Sequence, residues 1–169
     1  MATIRPFKGF RPTPELCSNV AALPYDVMTS KEAREMVKND PYSFLHVDRA
    51  EIDLPENVDI YSKEVYEKAA SNLNKMIEDK VLIQDNKPVF YIYSLTMNGR
   101  EQIGLVVCTS IDEYLNNTIK KHEFTRADKE QDRINHVDYC NANTGPIFLT
   151  YKNQKTIDQI ISKEIEKAP

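Results

Sequence analysis

The stretch "VFYIYSLTMNGREQIGLVVCTS", residues 89–110, consists of two β-rich runs joined through Asn98 and Gly99. β-Branched and aromatic side chains crowd both runs. Asn-Gly readily takes positive φ at both central positions of a type I′ turn, so the segment reads as an antiparallel hairpin. That hairpin decides the class. Strands and helices do not alternate in the regular order that a wound parallel sheet requires. The expected fold is α+β (mixed α/β): a mixed sheet containing the Asn-Gly antiparallel hairpin, packed with about four to five helices.

Upstream of the hairpin, Val65, Tyr66, Ala69, Leu73, Met76 and Ile77 recur at three- and four-residue steps, which predicts a helix from Ser62 to Asp79. "SKEAREMV" (30–37) predicts another, capped by Thr29 or Ser30 and burying Ala33, Met36 and Val37, with Asn39 and Pro41 ending it. Pro6, Pro12, Pro14 and Pro24 bias the first 28 residues toward extended and turn conformations, with a short helix starting at Pro14 behind a Thr13 cap. "SFLHV" (43–47) reads as a strand and "RAEIDLPENVD" (49–59) as a polar loop. Downstream come a short helix or turn at "IDEYLNN" (111–117) and a helix over 126–138. "GPIFLTY" (145–151) reads as a turn and short buried strand. "TIDQIISKEIEKA" (156–168) reads as a last amphipathic helix burying Ile157, Ile160, Ile161 and Ile165.

The 169 residues suit a single domain over 1–169. Hydrophobic residues make up 41% and charged residues 28%, ordinary globular usage. A formal net charge of -4 argues against a general nucleic-acid footprint, so nucleic acid is not an expected partner. Cys17, Cys108 and Cys140 are odd in number and lack CxxC spacing, which argues against a disulfide framework or a zinc site; Cys108, in an apolar run, reads as core. The N-terminus carries no long apolar segment, so a reduced, cytoplasmic protein with no membrane contact is expected.

The chemistry concentrates in "IKKHEFTRADKEQDR" (119–133). Thr125 is a good N-cap with Asp128 three residues later. Arg126, Lys129, Arg133 and His136 are spaced by three, four and three, which places them on one side of a helix. Lys121, His122 and Glu123 lie just before the cap, close to the free N–H groups of a helix start. Such a start with an arginine beside it suits phosphate or carboxylate. The candidate anion-binding set is Lys121, His122, Glu123, Thr125, Arg126 and Arg133. A solvated helix face is the competing reading. Metal binding through His122 and Glu123 lacks a third ligand at a recognisable spacing, and no metal is expected. Glu123, Asp26 and His46 are the candidate catalytic groups. Asp26, in "LPYDV" (23–27), equally suits a turn cap. His46 lies between Leu45 and Val47, and either approaches a cleft with Asp48 and Arg49 nearby or is a half-buried, hydrogen-bonded histidine. Phosphate-loop, dinucleotide, G-x-S-x-G and H-E-x-x-H patterns are absent.

"IRPFKGFRPTPEL", "VAALPYDV", "PYSFLHVDRAEIDLPE", "YEKAASNLNKMIEDKVL", "IKKHEFTRADKEQDR" and "NTGPIFLTY" follow one another in this order. Together they resemble the N-terminal part of a bacterial and archaeal family known as domain of unknown function 1015, over nearly the whole chain. Its members are usually more than twice this length. Their later half carries an Asp-Gly-His-His-Arg segment similar to the signature of free-serine kinases of the ParB/sulfiredoxin-like fold. The resemblance thus implies a phosphate-handling, kinase-like activity for the longer family members, with a nucleotide as cofactor there and none evident here. No Asp-Gly-His segment occurs in this sequence, so it reads as the N-terminal fragment of a two-part protein, inactive alone. Expected partners are the missing C-terminal half, a phosphorylated small molecule and a second copy through the exposed docking face. The resemblance makes residues 120–133 a family motif, which favours anion binding or domain gripping over a bare solvated face. An interaction scaffold and a helix-turn-helix-like nucleic-acid-binding module are the alternatives.

Overall fold

The computed structural model describes residues 2–121 and 125–167. The chain condenses into two compact units: Met1–Lys8 with Asn86–His122 and Pro146–Pro169, and Gly9–Asp85 with Glu123–Gly145. The class is α+β, with seven α-helices among the described residues and strands that pair as three separate two-stranded antiparallel ladders.

In the first unit, β1 (Ile4–Arg5) pairs with β6 (Cys108–Thr109), and Phe7 bridges Val89. β4 (Tyr91–Met97) and β5 (Arg100–Val106) form the hairpin, with Met97 opposite Arg100 and Tyr91 opposite Val106. Asn98 and Gly99 take φ of 52° and 76°, the double positive conformation their sequence favours. α5 (Ile111–Leu115) starts on a Ser110 cap, and its Glu113 carboxylate accepts from both the N–H and the hydroxyl of Thr3 at 2.7 Å. α7 (Lys155–Ile165) buries Ile161, while Ile160 and Ile165 are exposed, so its apolar stripe is only partly covered. "IFLTY" forms no strand and Ile147 and Phe148 are exposed. With no neighbouring strand paired to it among the described residues, its apolar side chains have nothing to alternate against.

The second unit holds the core. β2 (Phe10–Pro12) pairs with β3 (Leu82–Gln84). α1 (Cys17–Val20) begins later than the Thr13-Pro14 signal suggests, behind Leu16. α2 (Ser30–Val37) opens on a complete capping box: the Thr29 hydroxyl accepts from the Glu32 N–H, and the Glu32 carboxylate accepts from the Thr29 N–H. Ala33 and Val37 are buried, but Met36 is exposed. α4 (Lys63–Glu78) buries Val65, Tyr66, Ala69, Leu73 and Met76 as its periodicity predicts. It ends in a Schellman-type turn with Lys80 at φ 59°, the Val81 N–H reaching Met76 O at 2.9 Å and the Lys80 N–H reaching Ile77 O at 3.1 Å.

Segment 43–53 departs from expectation. Where the sequence suggests a strand and then a polar loop, the structure has a one-turn helix α3 (Leu45–Asp48) and a 3₁₀ turn Ala50–Asp53. The alternation of Leu45 and Val47 has a different cause from pleating. Leu45, 2% exposed, packs with Ala33, Val37 and Ile52, whereas Val47, fully buried, joins the cluster of Val20, Ala69 and Leu73. The segment runs between two apolar clusters and gives one side chain to each. Its polar groups are tied from the flanking helices. Arg34 of α2 donates to the carbonyls of Ile52 and Glu51 at 2.7 and 2.8 Å, and Asn72 of α4 to His46 O and the Asp53 carboxylate at 2.6 and 2.7 Å. Backbone groups buried here need such partners.

α6 (Ala127–Cys140) completes the unit against α4 and ends on Asn141 in the left-handed region at φ 48°. Its N-cap is Arg126 rather than Thr125, with no side-chain cap. Cys108 is exposed, where its apolar run suggests core, and the buried cysteine is Cys140.

Candidate functional site

Between α6 and the segment 47–51 lies a hollow of about 60 Å³ within the second unit. α6 supplies its wall because Asp132, His136 and Cys140, each four residues apart, face inward. Lys129 and Arg133 flank that stripe on the same side and also line the hollow. The opposite wall is Asp48, Arg49 and Glu51, held in place by the short helix and the 3₁₀ turn.

Each ionic group has a traceable partner. Arg133 donates Nε and Nη2 to Asp132 at 3.1 and 2.9 Å, and its guanidinium lies 4.4 Å from the centre of the Tyr25 ring. Asp132 also accepts from the Tyr66 hydroxyl at 2.9 Å, which ties α6 to α4. Arg49 donates to Tyr25 O at 3.2 Å and to Ser30 Oγ at 2.9 Å. Its Nε sits 3.0 Å from Glu51 Oε1, an ion pair without hydrogen-bond alignment. Lys129 donates to the Tyr61 hydroxyl at 2.8 Å. An ammonium has three N–H groups and a guanidinium five, so Lys129 and Arg133 both retain donors beyond these bonds.

The floor is different. His136, 3% exposed, has Nε2 at 3.0 Å from Val47 O. A carbonyl can only accept, so Nε2 carries the proton. His136 Nδ1 and Asp48 Oδ1 are both buried and without a hydrogen-bond partner in the protein. A buried polar atom left without one costs about 1–3 kcal/mol. Burial pushes the Asp48 carboxyl above its usual range, and a hydrogen bond with Thr144 and the charges of His136 and Arg133 only partly offset this. Burial, with the Asp48 charge added, also lifts the Cys140 thiol to about 11, which makes it a poor nucleophile.

Of the residues singled out from sequence, Arg133 lines the hollow together with Lys129 and His136 of the same spacing pattern. Arg126 does not: its guanidinium forks onto Asp128 at 3.1 and 2.7 Å in the open. Thr125 is exposed outside the helix, and Lys121 belongs to the first unit, its ammonium 4.5 Å over the Tyr114 ring. His122 and Glu123 lie outside the described residues. Asp26 is exposed in the 3₁₀ turn Tyr25–Val27. His46 is engaged at both nitrogens, by Asp53 at 2.8 Å and Asp40 O at 3.1 Å. The Asp53 hydrogen bond raises its pKa against the opposing effect of burial. Asp53 in turn is lowered: burial pushes it up, and the His46 bond and charge with Asn72 push it further down. Glu51, Asp132, Tyr25 and Tyr61 escaped the sequence reading. The inward spacing of Asp132, His136 and Cys140 was the available signal. Among the described residues no group of three His, Cys, Asp or Glu side chains is placed to hold a metal, and no helix is long and apolar enough to cross a membrane.

Comparison with known proteins gives a family and nothing finer. The family model described as "Protein of unknown function (DUF1015)" matches residues 4–169. No curated protein and no solved structure matches.

Proposed function

Since the chain belongs to the DUF1015 family, we propose from the hollow itself that the second unit binds the phosphate group of a small molecule. The observation that carries this is the meeting of Arg49 from one segment with Lys129 and Arg133 from α6 around a single hollow. Lys129 and Arg133 keep unused donors there. Arginine and lysine side by side suit the oxygens of a phosphate, which accept several charge-assisted hydrogen bonds at once. Glu51 and Asp132 orient the arginines as their ion-pair partners. The phosphate-handling, kinase-like character expected from the resemblance is carried forward as part of this reading for the longer family members. A reducing, cytoplasmic setting is part of it too, and suits three free cysteines.

Titration calorimetry with inorganic phosphate tests the reading. One charge-assisted hydrogen bond contributes about 1.5–3 kcal/mol, so Arg133→Ala should weaken binding roughly 10- to 100-fold. Arg126→Ala, which alters an exposed arginine away from the hollow, should leave affinity unchanged. Circular dichroism of each variant separates lost binding from lost fold. Absence of millimolar phosphate binding by the wild type, or Arg126→Ala costing as much as a folded Arg133→Ala, overturns the proposal.

A docking role is the second reading, and the first unit favours it: Met97 and Phe148 are 71% and 83% exposed. Such side chains serve an apolar contact with another polypeptide better than they serve water.

A further inference from the structure

Independently of the phosphate reading, and giving the docking reading its occupant, we propose that the outer edge of β4 pairs antiparallel with β4 of a second copy of this chain. The hairpin leaves that edge open: among the described residues β5 is the only strand beside β4. The turn decides which backbone groups face outward. Met97 and Arg100 close the two-residue Asn98-Gly99 loop, so they exchange hydrogen bonds, and in alternation so do Leu95 with Gln102 and Tyr93 with Gly104. The N–H and C=O groups of the intervening Ile92, Ser94 and Thr96 therefore point away from β5. All three residues are exposed, and no other backbone group of the described residues meets them.

The strand itself indicates what covers it. Sheet edges are commonly guarded by charge, proline or a bulge against pairing with a like strand. β5 carries Arg100 and Glu101, whereas Tyr91–Met97 carries no charge and no proline and keeps an unbroken register. Two copies of such an edge meet without like-charge repulsion. A two-fold arrangement centred on Ser94 sets Ser94 against the partner's Ser94 and Ile92 against the partner's Thr96, each pair exchanging N–H···O=C bonds in both directions. It also sets Tyr93 against the partner's Leu95 and Tyr91 against the partner's Met97, in the closer pairs that exchange no hydrogen bonds. Within one hairpin Tyr93 and Leu95 are 57% and 50% exposed and face only Gly104 and Gln102. The second copy supplies the large apolar neighbours that the hairpin lacks. The strands of both copies then form one antiparallel sheet, and the two-fold closes the assembly at a dimer.

Sedimentation velocity of the full chain over a concentration series, together with amide hydrogen exchange, tests this. The mass should rise from 19.5 kDa and level off at twice that value. Exchange at Ile92, Ser94 and Thr96 should slow as the dimer fills, while exchange at Glu101 and Ile103, on the outer edge of β5, should not. Ser94→Pro deletes the central N–H but none that β5 uses, and an edge strand tolerates proline where its N–H faces outward. It should raise the dissociation constant at least about tenfold. Ser94→Ala, which forfeits only the hydroxyl bond to Glu101 at 2.6 Å, and Ile103→Pro, which alters the other edge, should dimerise like wild type. If Ser94→Pro does not fold, the wild-type exchange pattern decides. Association without slowed exchange at Ile92, Ser94 and Thr96, a mass that climbs past the dimer, or a folded Ser94→Pro that dimerises like wild type overturns the proposal. So does a monomer at every concentration, which leaves docking to a different polypeptide.

Discussion

At Asp48, burial outweighs the positive neighbours. Its carboxyl sits above its usual range despite Thr144, His136 and Arg133, and it in turn lifts the Cys140 thiol. In the unfolded chain the same carboxyl ionises near 3.8. As pH climbs from there through the raised folded value, the unfolded state has lost a proton that the folded state keeps. Wild-type stability therefore falls across that window and then levels off. Asp48→Asn removes the ionisation and retains the shape. Urea unfolding should show the variant more stable than wild type at pH 7, with the difference vanishing below about pH 3.8. A variant less stable at pH 7 would mean that the Asp48 charge is welcomed by the fold. The same residue scale separates Arg126 from Arg133. Seven positions apart on one nominal stripe, one is spent on Asp128 in solvent and the other closes a hollow. The difference lies in where α6 starts: Arg126 is its cap, outside the regular helical path.

Among the elements, α2 is specified locally. Thr29 and Glu32 bond each other's backbone, and the Glu32 carboxyl is held below its usual range by the Thr29 N–H and then by its hydroxyl. Thr29→Ala should lower the melting temperature by about 2–4 °C, the scale of one lost N-cap in a chain of this size. Calorimetric melting checks this, and an unchanged midpoint would show that packing of Ala33 and Val37 alone holds the helix. α6 is specified differently. Its inward face carries Asp132 and His136, so hydrophobic patterning marks it poorly. What orients it is polar: Tyr66 on Asp132 and His136 on Val47 O. α3 is the opposite case. Leu45 and Val47 look strand-like by alternation, yet a single helical turn lets them enter two different apolar clusters.

For the whole molecule, the contrast between the units matters most. The second contains both buried clusters. The first exposes Met97, Tyr93 and Leu95 on one face of the hairpin, with Ile147 and Phe148 elsewhere. In a register where Tyr93 faces Gly104 and Leu95 faces Gln102, these side chains lack large apolar partners across the ladder. Exposed apolar surface of this kind drives association. Static light scattering should show an apparent mass rising with concentration above the 19.5 kDa of one chain, and Phe148→Glu with Met97→Lys should return it toward that value. A concentration-independent monomer would rule out an association surface on the first unit.

The hairpin, α2 and α4 were legible in the sequence because their determinants are local: a dipeptide with positive φ, a capping pair four residues wide, and one apolar stripe. Family membership was legible too, since it rests on the order of motifs along the chain. The floor of the hollow was not. His136 meets Val47 across 89 residues, and nothing near either one announces the other. A lone histidine in a charged helix and an aspartate after an apolar run acquire meaning only when folding buries the His136 ring and Asp48 Oδ1. Burial is a property of the packed chain; it alone decides which polar atoms lose water.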